Sequence, residues 1–283
     1  MSNEFKKRRY SMRRRRRRDN GEIHQGTFIL PNLLTTANMF CGFYGIISAI
    51  NGRYQAAALA ILASCLFDIL DGKVARLVRA TSRFGVEYDS LADLVAFGVG
   101  PGLLIYLWAL KPFGRLGWLA AFLFMACGAL RLARFNVQVD TVSKKHFVGL
   151  PIPGAACMLA TTVLFASHWN IAYAPQHSIM LVVSTYVLGF LMVSNVPYNS
   201  FKELEMVKDR PLPTLFIILV LLTVVATKPH LMLFSLGLAY VVSGPLGLLM
   251  KSYRQWRAPK AELKPIPPLT NEPEPVTKGD QKN

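Results

Sequence analysis

The stretch Asp68-Ile69-Leu70-Asp71-Gly72-Lys73-Val74-Ala75-Arg76, followed after eight residues by Gly85 and then by Asp89-Ser90-Leu91-Ala92-Asp93, puts four carboxylates into otherwise apolar sequence. Read as helices, Asp68 and Asp71 are three apart and Asp89 and Asp93 four apart, so each pair falls on one helical face. A short basic segment joins the two, which makes them antiparallel neighbours. Four converging carboxylates at the edge of an apolar bundle repel one another, and at neutral pH a positive species must hold them together. All four donors are oxygen, with no His or Cys, which favours hard cations over zinc: Mg²⁺ or Mn²⁺, with Ca²⁺ also admissible. Two such ions roughly 4 Å apart can clamp a pyrophosphate and stabilise both oxygens of an in-line displacement. Asp68, Asp71 and Asp89 are then the shared ligands. Asp93, one turn further along, either completes the second metal site or accepts the proton of an incoming hydroxyl.

A solvated charge cluster, with the acids paired to Lys73, Arg76, Arg79 and Arg83, is the bland alternative. It gives no reason for Gly72 and Ala75 beside the acids, or for Gly85 one turn before Asp89. Small side chains at those positions let a flat or bulky ligand approach the backbone.

Hydropathy decides the setting. No Asp, Glu, Lys or Arg occurs between Lys145 and Lys202, or from Pro229 to Met250. At roughly 20 residues per span the first gap holds two spans, and several such helices in succession would leave a soluble protein too little polar surface. The pattern predicts an all-α integral membrane bundle of eight spans: 33–51, 54–72, 88–109, 116–136, 151–168, 177–195, 212–228 and 231–250. With the N-terminus inside, 28 of the 32 Lys and Arg residues fall on the cytoplasmic side, which predicts N-in, C-in topology and a cytoplasmic acid cluster.

The expected division is a basic, disordered extension (1–30), a catalytic transmembrane core (31–200), a cytoplasmic connector (201–211), two additional spans (212–250) and a proline-rich cytoplasmic tail (251–283). The unbroken run Arg13 to Arg18 reads as a topology determinant or a lipid-headgroup attractant, with nucleic acid not expected as a partner. No cleavable signal pattern precedes the first span. The four cysteines stand at no metal-ligand spacing and read as small core residues. His146 is the histidine nearest the expected pocket and a minor candidate for a catalytic group. Asn32 is a helix-start residue or a ligand, and Thr81 and Ser82 are helix-start or turn residues. Arg131 and Arg134, one turn apart at a helix end, either snorkel to the interface or face inward to bind an acceptor carboxylate or a donor phosphate.

The pattern D-x2-D-G-x2-A-R-x8-G-x3-D-x3-D resembles the signature of the CDP-alcohol phosphotransferases. That resemblance implies a six-helix membrane core that uses two divalent cations per active site to transfer the phosphoryl-bearing half of a CDP-linked donor to an alcohol, releasing CMP. Within it, Asn32, Thr35, Gly72, Ala75, Arg76, Ser82 and Gly85 are the implied donor-binding residues, with the cytidine passing over Gly72, Ala75 and Gly85. Phe97-Gly98 after the acids, Arg131-Leu132-Ala133-Arg134-Phe135-Asn136 and Gly149-Leu150-Pro151-Ile152-Pro153 narrow the likeness to the membrane-embedded phosphatidylserine synthases of bacteria and archaea, over roughly residues 28–200. This implies CDP-diacylglycerol and L-serine as substrates, Asp93 as the base, Arg131 and Arg134 as serine- or phosphate-binding residues, a homodimer, and a bacterial inner membrane with the site facing the cytoplasm. Glycerol 3-phosphate, inositol phosphate or choline are rival acceptors. A divalent-cation transporter is the rival of another class.

Overall fold

A computed structural model of the chain describes residues 29–78, 82–139, 149–169, 175–198, 219, 223 and 227–257. These residues are helical apart from their connections. The helices are α1 (Ile29–Ile50), α2 (Tyr54–Leu77), α3 (Arg83–Phe113), α4 (Arg115–Val139), α5 (Ile152–His168), α6 (Pro175–Val193) and α7 (Pro229–Arg257). Four stretches are long and apolar enough to cross a membrane: α1, α3, Arg115–Val137 of α4 and Pro229–Met250 of α7. Helix α5 and the segment Ile179–Val193 are shorter apolar helices. The expected span at 212–228 falls almost wholly outside the described residues, as do the basic extension to residue 28, Arg79, Thr81, His146, the connector and the tail from residue 258.

Helix α1 shows how these helices pack. It buries Pro31, Thr35, Asn38, Gly42, Gly45 and Ser48 and exposes Leu33, Phe40, Phe43, Ile47 and Ile50. A soluble helix does the reverse. Small and polar residues turned inward and large apolar ones turned outward are the arrangement of a helix whose outer solvent is lipid, where close backbone approach and buried polar contacts hold neighbours together. Gly42 makes the closest approach: a Cβ there would lie 2.5 Å from the Ala96 Cα of α3. Asn51, Gly52 and Arg53 turn the chain from α1 into α2, with Gly52 at φ 72°.

Helix α3 begins at Arg83, earlier than the sequence pattern predicts, because Ser82 caps it: its Oγ accepts the Gly85 N–H at 2.9 Å. Immediately after Asp93 the helix widens into a π-helical segment, Leu94–Val99, and it does so again at Tyr106–Leu110. Such widenings rotate the side chains beyond them relative to those before and recur at functional sites. Between α4 and α5, Gly149 at φ 88° turns the chain into Leu150 and Pro151. The Gly149 and Leu150 amides bond to Val196 and Leu191 at 2.9 and 3.0 Å, which ties the start of α5 to the end of α6.

Candidate active site

The acids sit where α1, α2 and α3 meet. Asp68 and Asp71 lie in the last turns of α2, and Asp89 and Asp93 in the first turns of α3. One carboxylate oxygen from each of Asp68, Asp71 and Asp89 lies within 4.8 Å of the others. Asp93 stands behind this group, buried and within hydrogen-bonding range of Asp68. Two carboxyl groups at that range hold together only with a proton or a cation between them. Asp68, Asp71 and Asp93 have one another and Asp89 as repelling electrostatic neighbours, and Arg131 has Asp93 as a neighbour.

The chemistry of this donor set fits hard divalent cations. Asp89 Oδ1 is buried and has no hydrogen-bond partner, and a cation bound among the three carboxylates would satisfy it. Asp71 keeps one oxygen occupied: Thr35 Oγ1 donates to its Oδ2 at 3.1 Å. Asn38 Nδ2 donates to Asp93 Oδ1 at 3.0 Å, and Ser64 Oγ bonds in turn to the Asn38 side-chain oxygen and, at 2.9 Å, to its backbone carbonyl. Asn38 and Ser64 are fully buried. They form a second layer that orients Asp93.

A cleft opens beside the acids, lined by Pro31, Asn32, Thr35, Asp71, Gly72, Ala75, Ser82, Gly85, Val86 and Asp89. It thus gathers every donor-side residue the sequence suggested except Arg76, which is tied to one of the lining residues, donating its Nε to the Gly72 carbonyl at 2.8 Å. Gly85 is open on this side because a Cβ there would meet Ser82 Oγ at 3.2 Å and Asn32 Oδ1 at 3.6 Å.

The two arginines of α4 part company. Arg134 is turned toward the end of α6, donating to Asn195 Oδ1 at 3.0 Å and the Val193 carbonyl at 3.5 Å. Arg131 has Asp93 and Tyr240 as electrostatic neighbours, and its Nε is buried without a partner. Two turns of α3 are also tied to their surroundings: Tyr88 shares a hydroxyl hydrogen bond of 2.9 Å with Thr36, and Asn136 bonds to Ser90 at 3.1 Å and Glu87 at 3.4 Å.

Sequence reasoning missed Asn38 as an Asp93 partner and did not single out Ser64 at all. The available signal was the row of four polar and small residues Thr35, Asn38, Gly42 and Gly45 at helical spacing in an apolar segment. Of the cysteines, Cys127 is buried and Cys41, Cys65 and Cys157 are partly so, and all four are free.

An all-helical protein with helices able to cross a membrane and three carboxylates converging beside a cleft defines a class: a membrane enzyme built to handle a phosphate-bearing ligand. Residues 28–191 match the CDP-alcohol phosphatidyltransferase family, and the chain belongs to that family. It is 38% identical over 202 residues to a CDP-diacylglycerol–serine O-phosphatidyltransferase of Helicobacter pylori, covering 71% of this chain and 83% of the relative. A protein of the same name in Bacillus subtilis is 36% identical over 174 residues, 62% of this chain and 92% of the relative. The archaetidylserine synthase of Methanothermobacter thermautotrophicus is 40% identical over 176 residues, 60% of this chain and 69% of the relative.

Proposed function

We propose that this protein transfers the phosphatidyl group of CDP-diacylglycerol to the hydroxyl of L-serine, releasing CMP. The observation that carries this reading is the convergence of Asp68, Asp71 and Asp89 on the wall of a cleft that also holds Asn32, Thr35, Gly72, Ala75, Ser82 and Gly85. The names of relatives at 30–40% identity support the acceptor and the donor.

Asp68, Asp71 and Asp89, with Asp93 completing the set, are the residues that would hold two Mg²⁺ or Mn²⁺ ions, whose chemistry is to neutralise charge on the pyrophosphate and the departing CMP. The chain's own groups supply the rest. Gly72, Ala75 and Gly85 admit the cytidine, Ser82 and Asn32 offer it polar contacts, and Arg76 receives phosphate with a planar guanidinium. Asp93, held by Asn38, takes the proton of the serine hydroxyl as that oxygen bonds to the phosphorus bearing diacylglycerol and the bond to the CMP oxygen breaks. Arg131, desolvated and unpartnered at its Nε, receives the serine carboxylate. Arg134 holds α4 to α6.

The same reading puts eight spans in a bacterial inner membrane with both termini and the site on the cytoplasmic face, supported by the placing of 28 of the 32 Lys and Arg residues on that side. The catalytic core runs over 31–200, with an extension at 1–30, a connector at 201–211, further spans at 212–250 and a tail at 251–283. The enzyme works as a homodimer. The test is CMP release by purified protein in mixed micelles with CDP-diacylglycerol on adding L-serine, with Asp93→Asn inactive. Equal release with glycerol 3-phosphate, inositol phosphate or choline would assign another acceptor, and cation flux into vesicles without CMP would assign transport.

A further inference from the structure

The last helix, α7, lies outside the segment that matches the family, which ends at residue 191. From Pro229 to Met250 it carries no charged residue. Its serines satisfy themselves on their own helix: Ser235 Oγ donates to the Leu231 carbonyl at 2.8 Å and Ser243 Oγ to the Tyr240 carbonyl at 2.7 Å, both exposed. Tyr240 differs, because it is turned into the bundle.

Two contacts fix the ring. It lies on the first turn of α5, where Gly154 leaves room for it: a Cβ at that glycine would stand 3.2 Å from Tyr240 Cε1. On its other side is Tyr198, with ring centroids 5.6 Å apart. Tyr198 is itself anchored to α7, donating its hydroxyl to the Val241 carbonyl at 3.0 Å and packing its ring over Gly244. The same first turn of α5 seats Ile152 against Gly128, one turn before Arg131 on α4. One short segment, Ile152 to Gly154, therefore brings Tyr240 and Arg131 together, and each is an electrostatic neighbour of the other. Beyond them lies Asp93, the other neighbour of Arg131.

An arginine with a buried, unpartnered Nε next to the proposed base needs a group that fixes its direction. Otherwise it would lean toward the carboxylates and fill the space where the acceptor enters. We propose that α7 completes the acceptor side of the site, with Tyr240 as the positioning residue that holds the Arg131 guanidinium open toward an amino-acid alcohol, so that it receives the acceptor's carboxylate beside Asp93. This rests on the serine reading above and assigns that side of the site to a helix outside the family-matching segment.

The experiment compares steady-state kinetics of the full chain in CDP-diacylglycerol micelles with two acceptors, L-serine and serinol, which is serine with a hydroxymethyl in place of its carboxylate. Tyr240→Phe keeps the ring and removes the hydroxyl. Its serine KM rises about tenfold, the worth of a hydrogen bond to a charged group, and its preference for serine over serinol falls by the same factor. Its donor KM and its kcat at saturating serine stay within about twofold, the signature of lost ground-state binding and not of damaged chemistry. Gly154→Ala, which presses on the ring from α5, raises the serine KM in the same direction. Tyr198→Phe, which loses only the bond to Val241, leaves it unchanged. A wild-type serine KM and serine preference in Tyr240→Phe, or an equal loss in Tyr240→Phe and Tyr198→Phe, overturns the role of Tyr240 while leaving the serine reading intact. Absence of serine-dependent CMP release in the wild-type enzyme overturns the serine reading itself.

Discussion

Asn38 donates its side-chain amide to Asp93 across 3.0 Å, joining α1 to α3 at a point where both residues are buried. The bond commits one oxygen of Asp93, Oδ1, to α1. A flipped amide would set its oxygen against the Asp93 carboxylate, so Asp93 selects the amide nitrogen and Ser64 Oγ donates to the oxygen on the other side. Asn38→Ala removes a hydrogen bond to a charged acceptor, worth about 1.5–3 kcal/mol, and lowers kcat by about 10- to 100-fold. Pre-steady-state CMP release checks this, and a well-folded variant with wild-type kcat would show that Asp93 needs no such orientation.

Gly85 tests the donor cleft. A methyl at this position stands 3.2 Å from Ser82 Oγ and 3.6 Å from Asn32 Oδ1, so Gly85→Ala narrows the cleft between the two polar groups proposed to meet the nucleotide. The CDP-diacylglycerol KM rises by about tenfold or more, in keeping with overpacking penalties of about 1–3 kcal/mol, while the serine KM holds. An isotherm for CMP binding to the resting enzyme gives the same answer without turnover.

Metal removal addresses the acid cluster directly. Chelator abolishes CMP release, and Mg²⁺ or Mn²⁺ restores it. Asp89→Asn weakens Mn²⁺ binding, read by the electron paramagnetic resonance of the free ion, because Asp89 Oδ1 has no partner within the protein and the substitution removes its charge. Equal Mn²⁺ binding by wild type and Asp89→Asn would take that carboxylate out of the ligand set.

The sequence disclosed most of what depends on charge. Carboxylates are so costly in an apolar segment that their spacing alone located the meeting of α2 and α3, and the small residues between them located the cleft. It disclosed less where the signal is a single neutral polar residue. Asn38 in a 22-residue helix of mostly apolar residues has no role legible in the sequence until the helix beside it is known. Tyr240 likewise reads as packing, since only the approach of α5 turns it toward Arg131. The π-helical turn after Asp93 was not foreseen, because its residues read as ordinary apolar helix. Arg131 and Arg134 were inseparable by spacing, being three apart on one helix face. Their neighbours on α6 and α7 separate them.

That separation yields a contrast between variants. Arg134→Ala loses bonds to Asn195 and to the carbonyl at Val193, which hold the C-terminal ends of α4 and α6 together. One charged hydrogen bond at a partly exposed site is worth about 1 kcal/mol after screening, so the melting temperature of the purified protein falls by a few degrees (roughly 2–4 °C for a chain of this size) and the serine KM stays put. Arg131→Ala does the opposite. It removes the cation beside Asp93 and leaves an acceptor carboxylate with no partner, so the serine KM rises by about 100-fold while the contact between α4 and α6 stays intact. Thermal melts and acceptor titrations on the two variants decide the assignment, and an Arg134→Ala enzyme with the larger change in serine KM would exchange the two roles.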